Sequence, residues 1–146
     1  MSQVKKKSSL DPEPTRLARV RLSVLTKRSD YLRTFRFGRK IRPSEWVVFN
    51  VYRKKLSRDG DELGFRCGWT CPRTVGSAVV RNKLKRWSRI WFRQKLKDSK
   101  LLGISLPEVD LNLGFRAMPE DFYRRLRYED FARVLENGWA EILSLK

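Results

Sequence analysis

Apolar residues recur with helical spacing in three segments of the chain, at 31–37, 78–97 and 128–145. The first two segments are bounded by residues that favour the start or the end of a helix. Those residues are Ser29, Asp30, Gly38 and Ser77. The second segment carries an apolar stripe of Val80, Leu84, Trp87 and Trp91, and the third one of Phe131, Val134, Leu135, Trp139 and Ile142. The pattern predicts three amphipathic helices, each with one buried side.

Segments rich in valine and aromatic residues lie between the first and second of these helices. The residues at 45–53 and 63–71 read as strands, and the Asp59-Gly60 dipeptide predicts a hairpin turn at 57–62 between them. A third strand is predicted at 110–117, although Gly114 weakens it. The element order α, β, β, α, β, α predicts an α+β protein in which three helices pack on a small sheet.

The first 20 residues differ in character from the rest of the chain. They contain Lys5, Lys6 and Lys7, and the proline-spaced segment 11–14 offers little apolar surface to bury. We therefore expect a flexible basic tail at 1–20 and a single domain at 21–146.

The charge of the chain is strongly positive. It has 34 Lys and Arg against 16 Asp and Glu, which leaves a formal net charge of +18. Nucleic acid is the first partner to expect for such a balance, because each neutralised phosphate releases bound counterions, and an anionic membrane surface is the second. No export signal is visible and no apolar run approaches the roughly 20 residues that span a bilayer, so we expect a soluble cytoplasmic protein with no membrane partner.

Residue types that support metal binding or protein catalysis are scarce. The chain has no His, and its two cysteines, Cys67 and Cys71, would lie about 13 Å apart on a strand, too far for a disulfide. They are predicted to be free thiols without a zinc site. The acidic residues fall in predicted turns and helix starts, so we expect no catalytic residues, no metal site and no cofactor held by the protein alone.

The second helix carries cations without any acidic neighbour over most of its length. Arg81, Lys85, Arg89 and Arg93 repeat every four residues, and like charges at that spacing destabilise an isolated helix. A solvated basic face is the simpler explanation. The frequent use of arginine, whose planar guanidinium suits bidentate phosphate contacts, and the amide of Asn82 favour binding of a polyanion instead.

The segment 68–93 resembles the signature of the bacterial ribonuclease P protein subunit. Matching residues are Arg81, Asn82, Lys85, Arg86, Arg89, Phe92 and Arg93. Lys83 stands where the family usually has Arg, Ile90 replaces an acidic residue and Thr74 replaces a second Lys. The resemblance implies a mixed sheet of about four strands, a ribosomal-S5-domain-2-like sandwich, and a left-handed βαβ crossover, which is rare among proteins.

The resemblance also implies a function and two sets of binding residues. The protein would bind the catalytic RNA and the 5′ leader of precursor tRNA, and so support endonucleolytic removal of the leader to give the mature tRNA 5′ end. Magnesium would be held through the RNA subunit, and no obligate protein partner is expected. Residues expected to contact the catalytic RNA are Arg81, Asn82, Lys83, Lys85, Arg86, Arg89 and Arg93. Residues expected in a leader-binding cleft are Lys27, Arg28, Tyr31, Phe35, Phe49 and Arg73.

The residues themselves leave alternatives open. Aromatics beside a valine-rich strand are more often core than base-stacking surfaces, and Trp46 and Tyr52, on the strand face opposite Phe49, are the better candidates for core. A basic structural RNA-binding protein, such as a ribosomal one, would share the charge without any part in cleavage. A membrane-surface helix is disfavoured, because Trp87 and Trp91 are needed to cover the sheet.

Overall fold

The computed structural model of this chain describes residues 22–54 and 64–145. Its elements are α1 (Arg28–Phe37), β1 (Arg39–Ile41), β2 (Val47–Arg53), β3 (Arg66–Thr70), α2 (Ala78–Leu102), β4 (Val109–Phe115), α3 (Phe122–Arg125) and α4 (Tyr128–Leu143), with a 3-10 turn at Arg73–Val75 before α2. The predicted α+β class and four-stranded sheet are confirmed. The described residues form four α-helices rather than three, since the short α3 forms after β4. The predicted tail at 1–20 and hairpin turn at 57–62 lie outside the described residues.

The ends of the two most informative helices follow from local chemistry. The Ser77 hydroxyl accepts a hydrogen bond from the Val80 amide, as predicted, and α2 continues to Gly103, whose φ of 70° ends it in the left-handed region. Gly38 ends α1, also as predicted. The predicted caps of α1 are wrong, because Asp30 lies inside the helix and is buried against cations from the sheet.

The sheet has the strand order β1-β2-β4-β3. Strand β2 pairs antiparallel with β1 and β4, and β3 pairs parallel with β4. The predicted β2–β3 hairpin is therefore wrong: β4 lies between those strands, and the parallel β3–β4 pair is joined through α2, as a parallel connection requires. The left hand implied for this crossover stays a prediction.

The two faces of the sheet differ in polarity. Val109, Leu111, Leu113 and Phe115 of β4 are buried on the side of α2 and α4, in the main apolar core. The alternate residues Asp110 and Asn112 face α1, which packs on β2 and β4. None of the helices in the two described ranges is both long and apolar enough to cross a membrane.

Phe49 was predicted to line a cleft beneath α1, and the structure places it on the opposite face. Its side chain is fully buried, and a Cβ added to Gly138 of α4 would lie 2.4 Å from its ring. Trp46 is buried, as predicted, and its ring stacks with the ring of Phe131. Tyr52 is only half-buried, with the Arg33 guanidinium 5.5 Å from its ring centroid, so it belongs to the α1 side rather than to the core.

A buried ionic cluster holds α1 on the polar face. The guanidinium of Arg66 in β3 donates to both carboxylate oxygens of Asp110, at 3.0 and 2.8 Å, and lies 3.3 Å from Oδ2 of Asp30 in α1. The Lys54 ammonium lies 3.3 Å from Asp110 as an ion pair. Because Asp110 is completely buried, its charge is stable only with these partners in place.

Replacing Arg66 with Met should destabilise the fold by about 3 kcal/mol, because it leaves two buried carboxylates short of a partner. Urea unfolding followed by circular dichroism measures this loss. The control is Arg133→Met, which breaks the exposed pair with Asp130 and should cost less than about 1 kcal/mol. Equal losses in the two variants would show that Arg66 does not hold α1 on the sheet.

Candidate nucleic-acid interface

The basic face predicted for α2 is present as a continuous surface. Arg81, Lys85, Arg89 and Arg93 lie on one side of the helix, and we call them the docking ridge. The opposite side is buried on the core, as predicted, with Val80, Leu84, Trp87 and Trp91 each at most 7% exposed. The apolar stripe therefore fixes the rotation of α2 and directs the ridge away from the core.

Two cations of the docking ridge are oriented by neighbouring groups rather than by carboxylates. The Arg89 guanidinium lies 5.2 Å from the ring centroid of Trp69, a half-buried residue of β3. Arg81 Nε donates to the carbonyl of Gly76 at 3.1 Å. Sequence analysis missed the role of Trp69, because a cation–π contact between a strand and a distant helix leaves no local pattern.

The docking ridge is not neutralised within the part of the chain that the structure describes. No carboxylate from residues 22–54 or 64–145 forms an ion pair with Arg81, Lys85, Arg89 or Arg93. By contrast, Lys95, on another side of α2, pairs with Glu136 of α4 at 2.8 Å from Oε1. Lys95 is thus compensated, and the cations of the ridge remain available to an external anion.

The other predicted docking residues divide into two groups. Asn82 and Arg86 are exposed beside the ridge. Lys83 turns toward α3 instead: its ammonium donates to the Tyr123 carbonyl at 2.7 Å and lies 4.7 Å from the Trp87 ring centroid. The structure therefore assigns Lys83 a contact that anchors α3, which the helical repeat alone did not indicate.

A second surface lies where α1 crosses the polar face of the sheet. Its floor is the half-buried row Val48, Gly114 and Thr70, which are register partners on three adjacent strands. Tyr31 and Phe35, one helical turn apart on α1, lie over the same face of the sheet: Tyr31 packs against Gly68 of β3, and the Phe35 ring lies near Lys40 of β1. We call the three floor residues and these two rings the α1 groove. Gly114 leaves the floor low, because it contributes no side chain there.

The two aromatic rings of the α1 groove, Tyr31 and Phe35, differ in how firmly the fold holds them. Tyr31 is half-buried, donates from its hydroxyl to the Leu25 carbonyl at 3.0 Å, and fills the space that a side chain at Gly68 would need. Phe35 is 41% exposed, with the Lys40 ammonium 6.0 Å from its ring centroid. Phe35 therefore offers an open ring face next to a cation, whereas Tyr31 is largely fixed by the fold.

The remaining predicted cleft residues lie at the ends of the elements. Lys27 and Arg28 are exposed at the start of α1, and Arg73 is exposed in the turn between β3 and α2. The prediction missed Lys40, which also donates to Asn50 Oδ1 at 2.8 Å. The alternation of polar and apolar residues along β4 is the signal that could have identified this face of the sheet.

The pKa of the Cys71 thiol is affected by the positive charges of the docking ridge. Both cysteines are free, as predicted. Burial raises the pKa of the Cys71 thiol to about 11, while the positive charges of Lys85 and Arg81 act in the opposite direction. The Cys71 thiol thus lies within electrostatic reach of two ridge cations.

Burial also raises the pKa of the Tyr31 hydroxyl in the α1 groove, which therefore stays protonated and able to donate.

Comparison with known proteins places this chain in a family that it matches over most of its length. The family model named Ribonuclease P matches residues 20–141. The ribonuclease P protein component of Ruegeria pomeroyi is 36% identical over 112 residues, covering 73% of this chain and 85% of that protein. That of Gluconacetobacter diazotrophicus is 35% identical over 107 residues, covering 70% of this chain and 87% of that protein.

Solved structures show the same fold. The RNase P protein of Thermotoga maritima superposes with a TM-score of 0.64 at 24% identity, covering 82% of this chain and 96% of that one. The Staphylococcus aureus RNase P protein superposes with a TM-score of 0.60 at 18% identity, covering 85% and 97%. At these identities the likeness supports the fold alone.

Cys71 should react slowly with iodoacetamide in the folded protein near pH 8, because a pKa of about 11 leaves only about one thiolate in a thousand. The rate should rise with pH toward that value. Lys85→Gln should slow the reaction further, since removing a nearby positive charge raises the thiol pKa, whereas Lys100→Gln should not. Mass spectrometry of labelled protein measures the rates, and equal rates in the two variants would place Lys85 away from the thiol.

Proposed function

Because this chain belongs to the ribonuclease P protein family, we propose that its docking ridge binds the RNA subunit and its α1 groove binds the 5′ leader of precursor tRNA. Membership makes the chain a component of an endoribonuclease ribonucleoprotein and a partner of its RNA. The division of labour between the two surfaces is the proposal. It would allow one small protein to contact the ribozyme and the substrate at the same time.

The observation that carries the docking proposal is the uncompensated row of ridge cations. Phosphates of structured RNA would replace the carboxylates that these side chains lack among the described residues, and release of counterions would favour association. Arginine is suited to this role, because its guanidinium can donate two parallel hydrogen bonds to one phosphate. Trp69 supports the role by holding the Arg89 guanidinium over its ring, which reduces the freedom lost on binding.

The leader proposal rests on the shape and polarity of the α1 groove. Precursor tRNA differs from mature tRNA by a single-stranded leader, whose bases can stack on aromatic rings without regard to sequence. Phe35 offers such a ring, and Lys40 provides a cation beside it for the RNA backbone. Phe49 has no place in this proposal, since it is buried against α4.

The reacting groups are assigned to the RNA subunit in this proposal, as the family resemblance implies. Within residues 22–54 and 64–145, no three cysteine, aspartate or glutamate side chains are arranged to hold a metal ion. As the family resemblance implies, magnesium ions would be held by the RNA, where they would activate the attacking water. The protein's own residues would bind and orient the two RNA molecules.

Replacing Arg89 and Arg93 together with Gln should weaken binding to the RNA subunit and reduce the salt dependence of that binding. Each lost phosphate contact should lower the slope of log affinity against log salt by about one. Filter binding across a series of salt concentrations measures both effects. Arg133→Gln removes an exposed cation from α4 and should change neither. An unaltered slope in the double variant would exclude the ridge as the docking surface.

Replacing Phe35 with Ala should reduce the affinity of the reconstituted ribonucleoprotein for leader-bearing precursor by about fivefold or more, because a stacking surface is lost. Affinity for mature tRNA should not change. Leu102→Ala, which removes an exposed apolar side chain from the end of α2, should affect neither substrate. Equal losses on precursor and mature tRNA would indicate a defect in folding or docking.

Leader removal distinguishes this function from that of a basic structural RNA-binding protein. Single-turnover cleavage of precursor by the purified RNA subunit, with and without the protein, gives the comparison. A purely structural protein would bind RNA but would leave the dependence of cleavage on the leader unchanged.

A further inference from the structure

A cleft of about 370 Å³ lies between the start of α2 and the segment that contains α3. One wall includes Gly76, Ser77 and Val80, and the other is formed by residues 118–124. Clefts that bind small ligands in proteins measure about 300 to 1,000 Å³, so this one can enclose a single base or a molecule of similar size. The proposed functions of the docking ridge and the α1 groove leave this cleft without a role.

The α3 wall of the cleft is held in place by contacts with the rest of the fold. A helix of four residues is not stable alone, because too few of its backbone groups are hydrogen-bonded. Tyr123 of α3 is buried, and its hydroxyl donates to the Trp46 carbonyl at 3.1 Å. The Lys83 ammonium of α2 donates to the Tyr123 carbonyl at 2.7 Å. The cleft is therefore formed before any ligand binds, which lowers the cost of ordering it.

Arginine side chains lie on both sides of the cleft. Arg124 lines the α3 wall, and its ion pair with Asp121, at 3.9 Å between two exposed side chains, stabilises it little. On the α2 side, Arg81 donates to the Gly76 carbonyl through Nε, which leaves both terminal nitrogens of its guanidinium without a partner among the described residues. Since Arg81 also begins the docking ridge, the cleft continues the surface that is proposed to bind the RNA subunit.

The lining of the cleft indicates which part of a nucleotide would enter it. Val80, Met118 and Phe122 contribute apolar surface, whereas the carboxylates of Glu120 and Asp121 would repel a phosphate. A neutral, flat base therefore fits the interior, and negatively charged groups fit the arginines on either side. A nucleotide within an RNA strand has this arrangement, with one base and a phosphate on each side of it.

A second cleft shows that volume and basic residues alone do not define such a site. It measures about 360 Å³, lies beyond the other end of α2, and is lined in part by Arg53 and Lys54. Both cations are engaged there: Lys54 forms an ion pair with Asp110 at 3.3 Å, and a terminal nitrogen of Arg53 donates to the Leu145 carbonyl at 2.9 Å. Only the cleft beside α3 combines a similar volume with cations that are available to a ligand, among the two compared.

We propose that the cleft between α2 and α3 receives one unstacked nucleotide of the RNA subunit, with Arg81 and Arg124 binding the phosphates on either side of its base. The inference rests on the proposed docking of the ridge to that RNA. Phosphate contacts alone do not distinguish one position on the RNA from another. A cleft that requires an unpaired base would place the protein at a loop or a bulge, where a base can leave the stack.

The test fills the cleft without adding negative charge. Glu120→Trp places a large ring at a position that lines the cleft and removes a carboxylate. Loss of a negative charge would by itself strengthen binding to RNA, so filling the cleft and removing the charge have opposite effects. Affinity for the purified RNA subunit, measured by filter binding, should fall about fivefold or more, which corresponds to the loss of one base contact.

Two matched variants separate the volume of the new side chain from the change in charge. Glu120→Gln removes the same charge without filling the cleft, and it should bind the RNA subunit at least as tightly as the wild type. Glu108→Trp makes the same substitution at an exposed residue of the second cleft and should cause no loss of affinity. Urea unfolding followed by circular dichroism checks that the two tryptophan variants are equally stable.

The phosphate contact and the base contact can be measured separately. Arg124→Gln leaves the cleft open and should reduce the salt slope of affinity for the RNA subunit by about one, whereas Arg133→Gln on α4 should not. Chemical probing of the Watson–Crick edges of the RNA subunit should reveal a nucleotide that the wild type and Glu108→Trp protect. The same nucleotide should remain reactive in the presence of Glu120→Trp.

Three results would overturn the inference. Equal affinities of Glu120→Trp and Glu108→Trp for the RNA subunit would show that the cleft is only a gap between packed elements. Identical protection patterns for these two variants would place no nucleotide in it. Binding of adenosine 5′-monophosphate that Glu120→Trp abolishes, without any change in affinity for the RNA subunit, would assign the cleft to a small ligand. Failure of the docking proposal is separate, since it would appear as an unaltered salt slope when Arg89 and Arg93 are both replaced with Gln.

Discussion

The carboxylates of Asp30 and Asp110 share the guanidinium of Arg66, and this contact decides where α1 lies on the sheet. Without it, two buried negative charges would oppose the packing of the helix on the polar face. With it, α1 is fixed at its first turn, and the floor formed by Val48, Gly114 and Thr70 stays open beside its second half. The groove therefore depends on an ionic contact made by the first turn of the same helix.

Strand β3 supports both binding surfaces, one on each of its faces. Its successive residues point to opposite faces, so Gly68 accommodates Tyr31 on one side and Trp69 supports Arg89 on the other. A one-residue shift in the pairing of β3 with β4 would exchange these roles and disturb both surfaces. On α2, Lys95 is paired with Glu136 of α4, whereas the cations of the docking ridge have no carboxylate partner among the described residues.

Features set by local sequence could be predicted, and those set by distant pairing could not. The Ser77 cap, the tryptophan stripe of α2 and its basic face all follow from residues within a few turns of one another. The strand order could not be derived in this way, because β4 inserts between β2 and β3 although Asp110 lies 44 residues after its partner Arg66 in β3. The alternation in β2 correctly separated Phe49 from Tyr52. The alternation did not indicate which face of the sheet α1 would cover, because helices pack on both faces.

The central position of β4 has a consequence for synthesis of the protein. The other three strands of the described sheet precede it in the chain, and β4 joins the β1–β2 pair to β3. While the chain emerges from the ribosome, the basic helices α1 and α2 are therefore exposed before the sheet on which they pack is complete. A nascent chain of this charge would already attract RNA, so an early RNA contact could shield its cations from one another until the last strand arrives.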